Sequence, residues 1–563
     1  MLKKLCLLLA VLFIIANFAA CGQSGKTDGS ASSGTTKTSD SSGTKPATST
    51  PGTKDTKSSD EVVTFTWFRP QINRNAIVYW NDALWVQELE KRMNVKINFE
   101  GPLVGATSKD YIQAVQILLN SGDYPHVLFF NWNNYSGGLA GAIEDGIVLN
   151  ISKNEDYWAR LPYWRELLES NDFIRRSVTL DDGSSAIFCH VEETTNRSCY
   201  NGYAVRGDWL ENVGKSAPTT IDELYEVLVA FKQMDSKIYP MTDESGSSTV
   251  NNLLPAWGMR RNEPYPDPDN PGKVTHWTIY KNGEAFKDFI TTMNKWYKEG
   301  LIDPDFASQD WDSRSAKMTT GVSGFSYLLP QQYTAWKDAI VAANPDLKGK
   351  VYFLGLEPLI GPAGKKYNTN NMRNWAATTA GNVITVRAEE DGVVERILDV
   401  INYLYSPEGT DLINWGVEGV SYNVKDGKKE WSELVTNDPE FSFGDAVFKY
   451  AIPTWGDWPK IMSYEAWLSM ETKDPDALRA HQNYLKGDPG LSMPRIVLTQ
   501  AESEEYNRIM TDVNTLVDEY FVNLITGVRP LDEIPGLLEQ IEKIGVRRAM
   551  EIYQGAYDRY MSK

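Results

Sequence analysis

Between residues 62 and 130, strand-like runs alternate with helical ones, and this alternation constrains the fold more than any other feature of the 563-residue chain. Val62 to Phe68 is a short β-branched and aromatic run. Asp82 to Met93 carries Leu84, Trp85, Leu89 and Met93 at helical spacing. Val95 to Phe99 reads as a second strand, Tyr111 to Leu119 as a second helix and His126 to Phe130 as a third strand. The βαβαβ order predicts an α/β protein with a parallel sheet covered by helices on both faces. Such sheets hold ligands at the carboxyl ends of their strands. Here those ends carry Trp67, Phe68 and Arg69, and then Asn131, Trp132, Asn133, Asn134 and Tyr135. A second α/β set begins near Tyr203. Helices are expected over Ile221 to Lys232, Ala285 to Tyr297, Val393 to Leu404 and from Glu502 onward. Strands are expected at Phe325 to Leu329, Val351 to Leu356 and Asn382 to Val386.

The first sixty residues set the expected compartment. Lys3 and Lys4 precede an apolar run from Leu5 to Ala16, shorter than the about 20 residues that span a bilayer, so residues 1–20 read as a secretory signal. Ala19, Ala20 and Cys21 look like a bacterial lipobox, at which Cys21 becomes the lipidated (palmitate-bearing) N-terminus. Phe18 replaces the usual leucine. From Gly22 to Asp60 no aliphatic residue larger than alanine occurs, so residues 21–60 are expected to be a disordered Ser/Thr/Gly tether with a reach of roughly 35 Å. No later stretch is apolar enough to span a membrane. Cys189 and Cys199 are either a disulfide or two buried thiols in this reading.

Composition narrows the function. A net charge of −19 argues against nucleic-acid binding, which needs a basic face. Gly214, Lys215 and Ser216 mimic the end of a phosphate loop, but Trp209 stands where its first glycine is required. No G-x-S-x-G or H-E-x-x-H occurs, and the four histidines are scattered. No catalytic residue, cofactor or metal is therefore assigned. Glycoside hydrolysis needs only two carboxylates and stays open. The 18 tryptophans are the unusual count, and they divide by context. Trp85, Trp209, Trp296 and Trp467 sit on helical patterns that suit packing. Trp67, Trp132, Trp257, Trp311, Trp375, Trp415 and Trp455 lie in or beside loops with polar or glycine neighbours, where a ring can stack on the C–H face of a sugar. Arg69, Asn131, Asn133 and Arg373 are the accompanying hydrogen-bonding candidates.

Several blocks resemble the bacterial extracellular solute-binding lipoproteins of carbohydrate ABC importers, in particular the LplA-like subgroup. They are Tyr135 to Leu139 with Ile143 to Val148, Val205 to Leu210, Pro218 to Tyr225, and the more specific Met293 to Ala307 (MNKWYKEGLIDPDFA). Trp415 to Tyr422, Ile525 to Gly527, Pro530 to Asp532 and Ile552 to Tyr560 follow in order, so the resemblance covers residues 60 to 563.

The resemblance implies a two-lobed, type II periplasmic-binding-protein fold with a ligand cleft between lobes. Lobe 1 is expected at 61–193 and 374–430 and lobe 2 at 194–373 and 431–563, with crossings near 190, 375 and 430. It further implies a non-enzymatic, monomeric receptor. That receptor would be lipid-anchored on the outer face of the membrane, binding an oligosaccharide or related glycan and delivering it to ABC permease subunits. A polysaccharide-active enzyme, an adhesive surface protein and a receptor for a non-sugar solute are the alternatives. Two departures stand out. Relatives often carry a calcium loop after the helix that corresponds to Ile221 to Lys232, whereas Gln233 to Pro240 lacks the alternating oxygen ligands. Asn134 also replaces a common acidic residue.

Overall fold

The structure is a computed structural model, and it describes residues 61–103, 105, 108–194, 196, 199–244, 248–369, 380–454, 458–471, 473–494 and 496–563. The signal, lipobox and tether expected at 1–60 therefore lie outside the described residues, as do Arg373, Trp375 and Trp455.

The expected βαβαβ unit is present. Strand Val63–Phe68 pairs in parallel with Val95–Glu100 along its whole length and with Val127–Asn131 through Trp67 and Phe68. A fourth strand, Ala380–Ile384, closes the edge antiparallel to Val127–Asn131, so the sheet is mixed rather than wholly parallel. Helix Leu84–Met93 turns Trp85, Val86 and Leu89 into the core and ends at Asn94 in the left-handed conformation, which asparagine tolerates. Helix Lys109–Ser121 starts at Ser108, whose hydroxyl accepts from the Tyr111 amide, and stops at Gly122.

A second core surrounds the antiparallel sheet of Phe325–Leu328, Gly202–Arg206 and Phe353–Gly355, in that order. Gly202–Arg206 is buried throughout. At Gly202 a Cβ would meet the Tyr484 ring at 2.5 Å, which explains the glycine at the point where the chain enters this lobe. Helices Ile221–Met234 and Gln500–Thr526 both begin with capping boxes, Thr220 with Glu223 and Thr499 with Glu502. Helix Glu284–Lys298 presents Phe286, Phe289, Ile290, Met293 and Trp296 to the same core.

Two crossings run side by side. Strand His190–Glu192, which leads toward Gly202, pairs in parallel with Lys460–Met462, which leads toward helices Tyr464–Glu471 and Pro475–Tyr484. Ala477, Ala480 and Tyr484 already pack with Cys199, Ala204 and Leu328 of the second lobe. This corrects the return expected at about 430: Phe448, Ile452 and Trp458 still belong to the first core, and the chain leaves it only after Met462. The reason is Trp458. Its ring is fully buried, with centroids of Trp67, Trp80, Trp85 and Phe99 at 5.1, 4.9, 4.8 and 5.6 Å and the Arg69 guanidinium carbon 3.6 Å above it. Cys189 and Cys199 are separate, buried thiols.

Truncating a fully buried indole in such a nest costs about 3–5 kcal/mol. Trp458→Ala is therefore expected to lower the free energy of urea unfolding by that amount, and a loss below about 1 kcal/mol would deny the nest this weight.

Candidate functional site

The carboxyl end of Val127–Asn131 opens into a short turn, Trp132–Asn134, in which the Asn131 side-chain oxygen accepts from the Asn133 amide at 3.3 Å. Asn131 is half-buried and Asn133 exposed, so both reach the surface at the strand mouth. The aromatic candidates behave differently. Trp67 shares the inward face of its strand with Phe65, and its indole N–H donates to the Asn382 side chain at 2.9 Å. Trp132 is buried edge-on to Phe130. Trp257 donates to Asp288 at 2.7 Å and meets Phe289 edge-on. Trp415 lies 4.8 Å from the Trp431 ring. Arg69 is wholly buried between Trp458 and Trp80. The structure thus places Trp67, Arg69, Trp132, Trp257 and Trp415 in the packing of the lobes. Trp311 is the exception, 40% exposed at the first turn of helix Trp311–Thr319.

A groove with aromatic and polar groups lies on lobe 1 and a polar pocket on lobe 2, and neither was found from tryptophan contexts. On lobe 1 a groove of about 640 Å³ follows the first strand and is lined by Asn75, Tyr79, Asp82, Gln87, Lys449 and Tyr450. Tyr79 is half exposed, and its hydroxyl makes no hydrogen bond among the described residues. On lobe 2 a pocket of about 410 Å³ is lined by Asn251, Asn252, Arg260, Arg261, Glu263 and Thr369.

The lobe 2 pocket is internally tied. Arg261 donates to Asn251 at 2.8 Å and to Asp518 at 2.7 Å, while Arg260 donates to the Leu491 and Thr369 carbonyls. Burial lowers the Arg260 pKa, and the exposed Glu263 carboxylate stands 4.0 Å from its guanidinium. With the guanidiniums held by protein oxygens, the pocket offers oriented amides and carbonyls suited to hydroxyl groups. An aromatic signal would have found Tyr79 had it extended from tryptophan to tyrosine, whose polar tip favours half-exposed positions.

At the hinge, His481 ties the first crossing to helix Tyr464–Glu471. Its Nδ1 stands 3.1 Å from the Cys199 carbonyl and its Nε2 2.7 Å from the Tyr464 hydroxyl. The neutral ring suits both, donating from Nδ1 and accepting at Nε2. Burial lowers its pKa below the ordinary 6.5. The unfolded chain therefore binds the proton first, and stability from this site is full above about pH 6.5 and lost as pH falls below it.

The calcium loop of relatives finds no counterpart in residue chemistry here. The Lys232 ammonium donates to the Ser236 and Ile238 carbonyls at 2.9 and 2.7 Å and stands 4.5 Å from the Tyr239 ring. Asp235 accepts from the Lys237 amide. Among the described residues no group of three acidic, histidine or cysteine side chains converges. Calcium takes six to eight oxygens, usually with several carboxylates, and this loop does not fit it.

The fold is that of two-domain solute-binding proteins. The alginate-binding protein AlgQ2, solved without calcium ion, superimposes with a TM-score of 0.63 at 22% identity, covering 89% of this chain and 99% of that one. FusA of Streptococcus pneumoniae, solved in complex with kestose, gives 0.64 at 20%, again covering 89% and 99%. In sequence the chain is similar to that fructooligosaccharide ABC transporter substrate-binding protein, 22% identical over 505 residues, 86% of this chain and 88% of FusA. It is 25% identical over 359 residues to the lipoprotein LipO of Bacillus subtilis, 61% of this chain and just under two thirds (66%) of LipO. No family model matches the chain. The resemblance to carbohydrate ABC solute-binding proteins is thus borne out by relatives spanning nearly the whole body.

Because the loop is closed by its own ammonium, adding calcium or EDTA should leave the unfolding midpoint unchanged. Lys232→Met should cost about 1–3 kcal/mol, since it leaves two carbonyls without their charged donor. A calcium-dependent midpoint would contradict this.

Proposed function

We propose that the chain is a surface receptor that captures an oligosaccharide between its two lobes and delivers it to the permease of an ABC importer. The observation that carries this reading is similarity along 86% of the chain to a receptor named for fructooligosaccharides. The aromatic and polar groove of lobe 1 and the polar pocket of lobe 2 supply matching chemistry. Tyr79 and Tyr450 present ring faces on lobe 1, and Asn251, Asn252 and Glu263 present hydrogen-bonding groups on lobe 2. A sugar that meets both sets stabilises the closed arrangement, because only there are both surfaces in contact with it. Discrimination comes from how well the sugar's hydroxyls match the donors and acceptors that these groups offer.

Lipidation at Cys21 with the 22–60 tether would hold the receptor at the outer membrane face. Among the described residues no helix is long and apolar enough to cross a membrane. The chain binds without catalysis in this reading, in keeping with the binding proteins it resembles.

A panel of neutral and acidic oligosaccharides titrated calorimetrically into residues 61–563 tests the proposal. At least one is expected to bind and to be recovered intact. Tyr79→Ala and Asn251→Ala should each weaken it about tenfold, the loss of one ring face or one oriented hydrogen bond. Release of new reducing ends, or no binding across the panel, would overturn the receptor reading.

A further inference from the structure

Away from both concavities, a pocket of about 580 Å³ lies beside the helices at 155–178, in the size range of small-ligand sites. Trp158, Leu168 and Leu180 form its apolar wall, and Arg165, Ser185 and Arg559 are among its polar residues. Trp158 and Arg165 are half-buried.

Most charges around it are already satisfied. Arg175 pairs with Asp172 at 2.8 Å, Arg559 with Glu502 at 2.5 Å, and Lys563 with Asp181 at 3.0 Å. Arg165 differs: its guanidinium makes no hydrogen bond or ion pair among the described residues. Ser185 is only 4% exposed, and its hydroxyl oxygen is buried with no hydrogen-bond partner. A buried hydroxyl without a partner is costly, and such groups are rare in native folds. Glu169 also lines the pocket, but it is exposed to water and engages none of these cations.

We propose that this pocket is a second carbohydrate subsite, selective for a pyranose that carries a carboxylate, such as a hexuronic acid. The carboxylate pairs with the Arg165 guanidinium, an interaction stronger than a neutral hydrogen bond. The C–H face of the ring covers Trp158 and Leu168. The Ser185 hydroxyl, free to rotate, meets a ring hydroxyl. Arg559 and Ser562 come from helix Val546–Ser562, whose Val546, Ala549 and Met550 pack in the second core, so the occupant touches both lobes. The pocket shares no residue with the concavities of the proposed receptor site, so the two proposals fail separately.

Galacturonic acid titrated into residues 61–563, followed by saturation-transfer NMR and calorimetry with galactose as the control, tests it. Galacturonate is expected to bind and galactose to show no binding at the same concentrations. Arg165→Gln should weaken galacturonate at least about tenfold while the unfolding midpoint stays within error, and Trp158→Ala, which also loses packing against the first core, should weaken it as much in protein that remains folded. Absence of galacturonate binding would overturn the proposal. So would equal binding of galactose, or galacturonate affinity unchanged in both folded variants, which would put the sugar elsewhere.

Discussion

The stacking of Arg69 against Trp458, deep in the first lobe, is the contact on which the arrangement of the crossings depends. The guanidinium is desolvated there, and the indole face supplies part of what water would have given. Trp80, Trp85, Trp67 and Phe99 enclose the pair, so four separate stretches of sequence, at 67–69, 80–85, 99 and 458, converge on one aromatic nest. Anchoring Trp458 there brings Lys460–Met462 alongside His190–Glu192. Two connections between the lobes thereby run as one paired ribbon. Rigid lobes joined at paired strands are the mechanical requirement for hinge closure around a ligand.

Much of this architecture was legible in the residues. The β-branched and aromatic alternation of Val63–Phe68 and the helical spacing of Leu84–Met93 encode their elements directly, and the antiparallel edge strand Ala380–Ile384 overlaps the strand expected at Asn382 to Val386, displaced by two residues. The third crossing was not legible. Residues 422–431 form a small hairpin turned by Asp426 and Gly427, both at positive φ, and a hairpin resembles the end of a lobe when its packing is unknown. Phe448, Ile452 and Trp458, after the hairpin, reveal that the first core continues.

The tryptophans were sorted by local context, and context proved too weak. Trp67, Trp132, Trp257 and Trp415 have polar or glycine neighbours in sequence, yet each is buried with a ring or hydrogen-bond partner of its own lobe. A strand end or tight turn exposes its backbone while directing a large side chain inward, so loop location does not imply an exposed ring. Trp85, Trp296 and Trp467, read as packing, are buried as well. The accessible rings of the lobe 1 groove are tyrosines, whose hydroxyl tolerates water. The loop after Ile221–Met234 was legible as poor in alternating oxygen ligands. That Lys232 holds its carbonyls instead required coordinates, since a lysine at a helix end is otherwise unremarkable in sequence.

The central claim is that ligand capture and movement about the paired crossings are one event. Small-angle X-ray scattering of residues 61–563, free and saturated with an oligosaccharide whose binding calorimetry has established, tests it most directly. The account predicts a smaller radius of gyration in the saturated protein, as the lobes close on the sugar. An unchanged radius at full occupancy would contradict it.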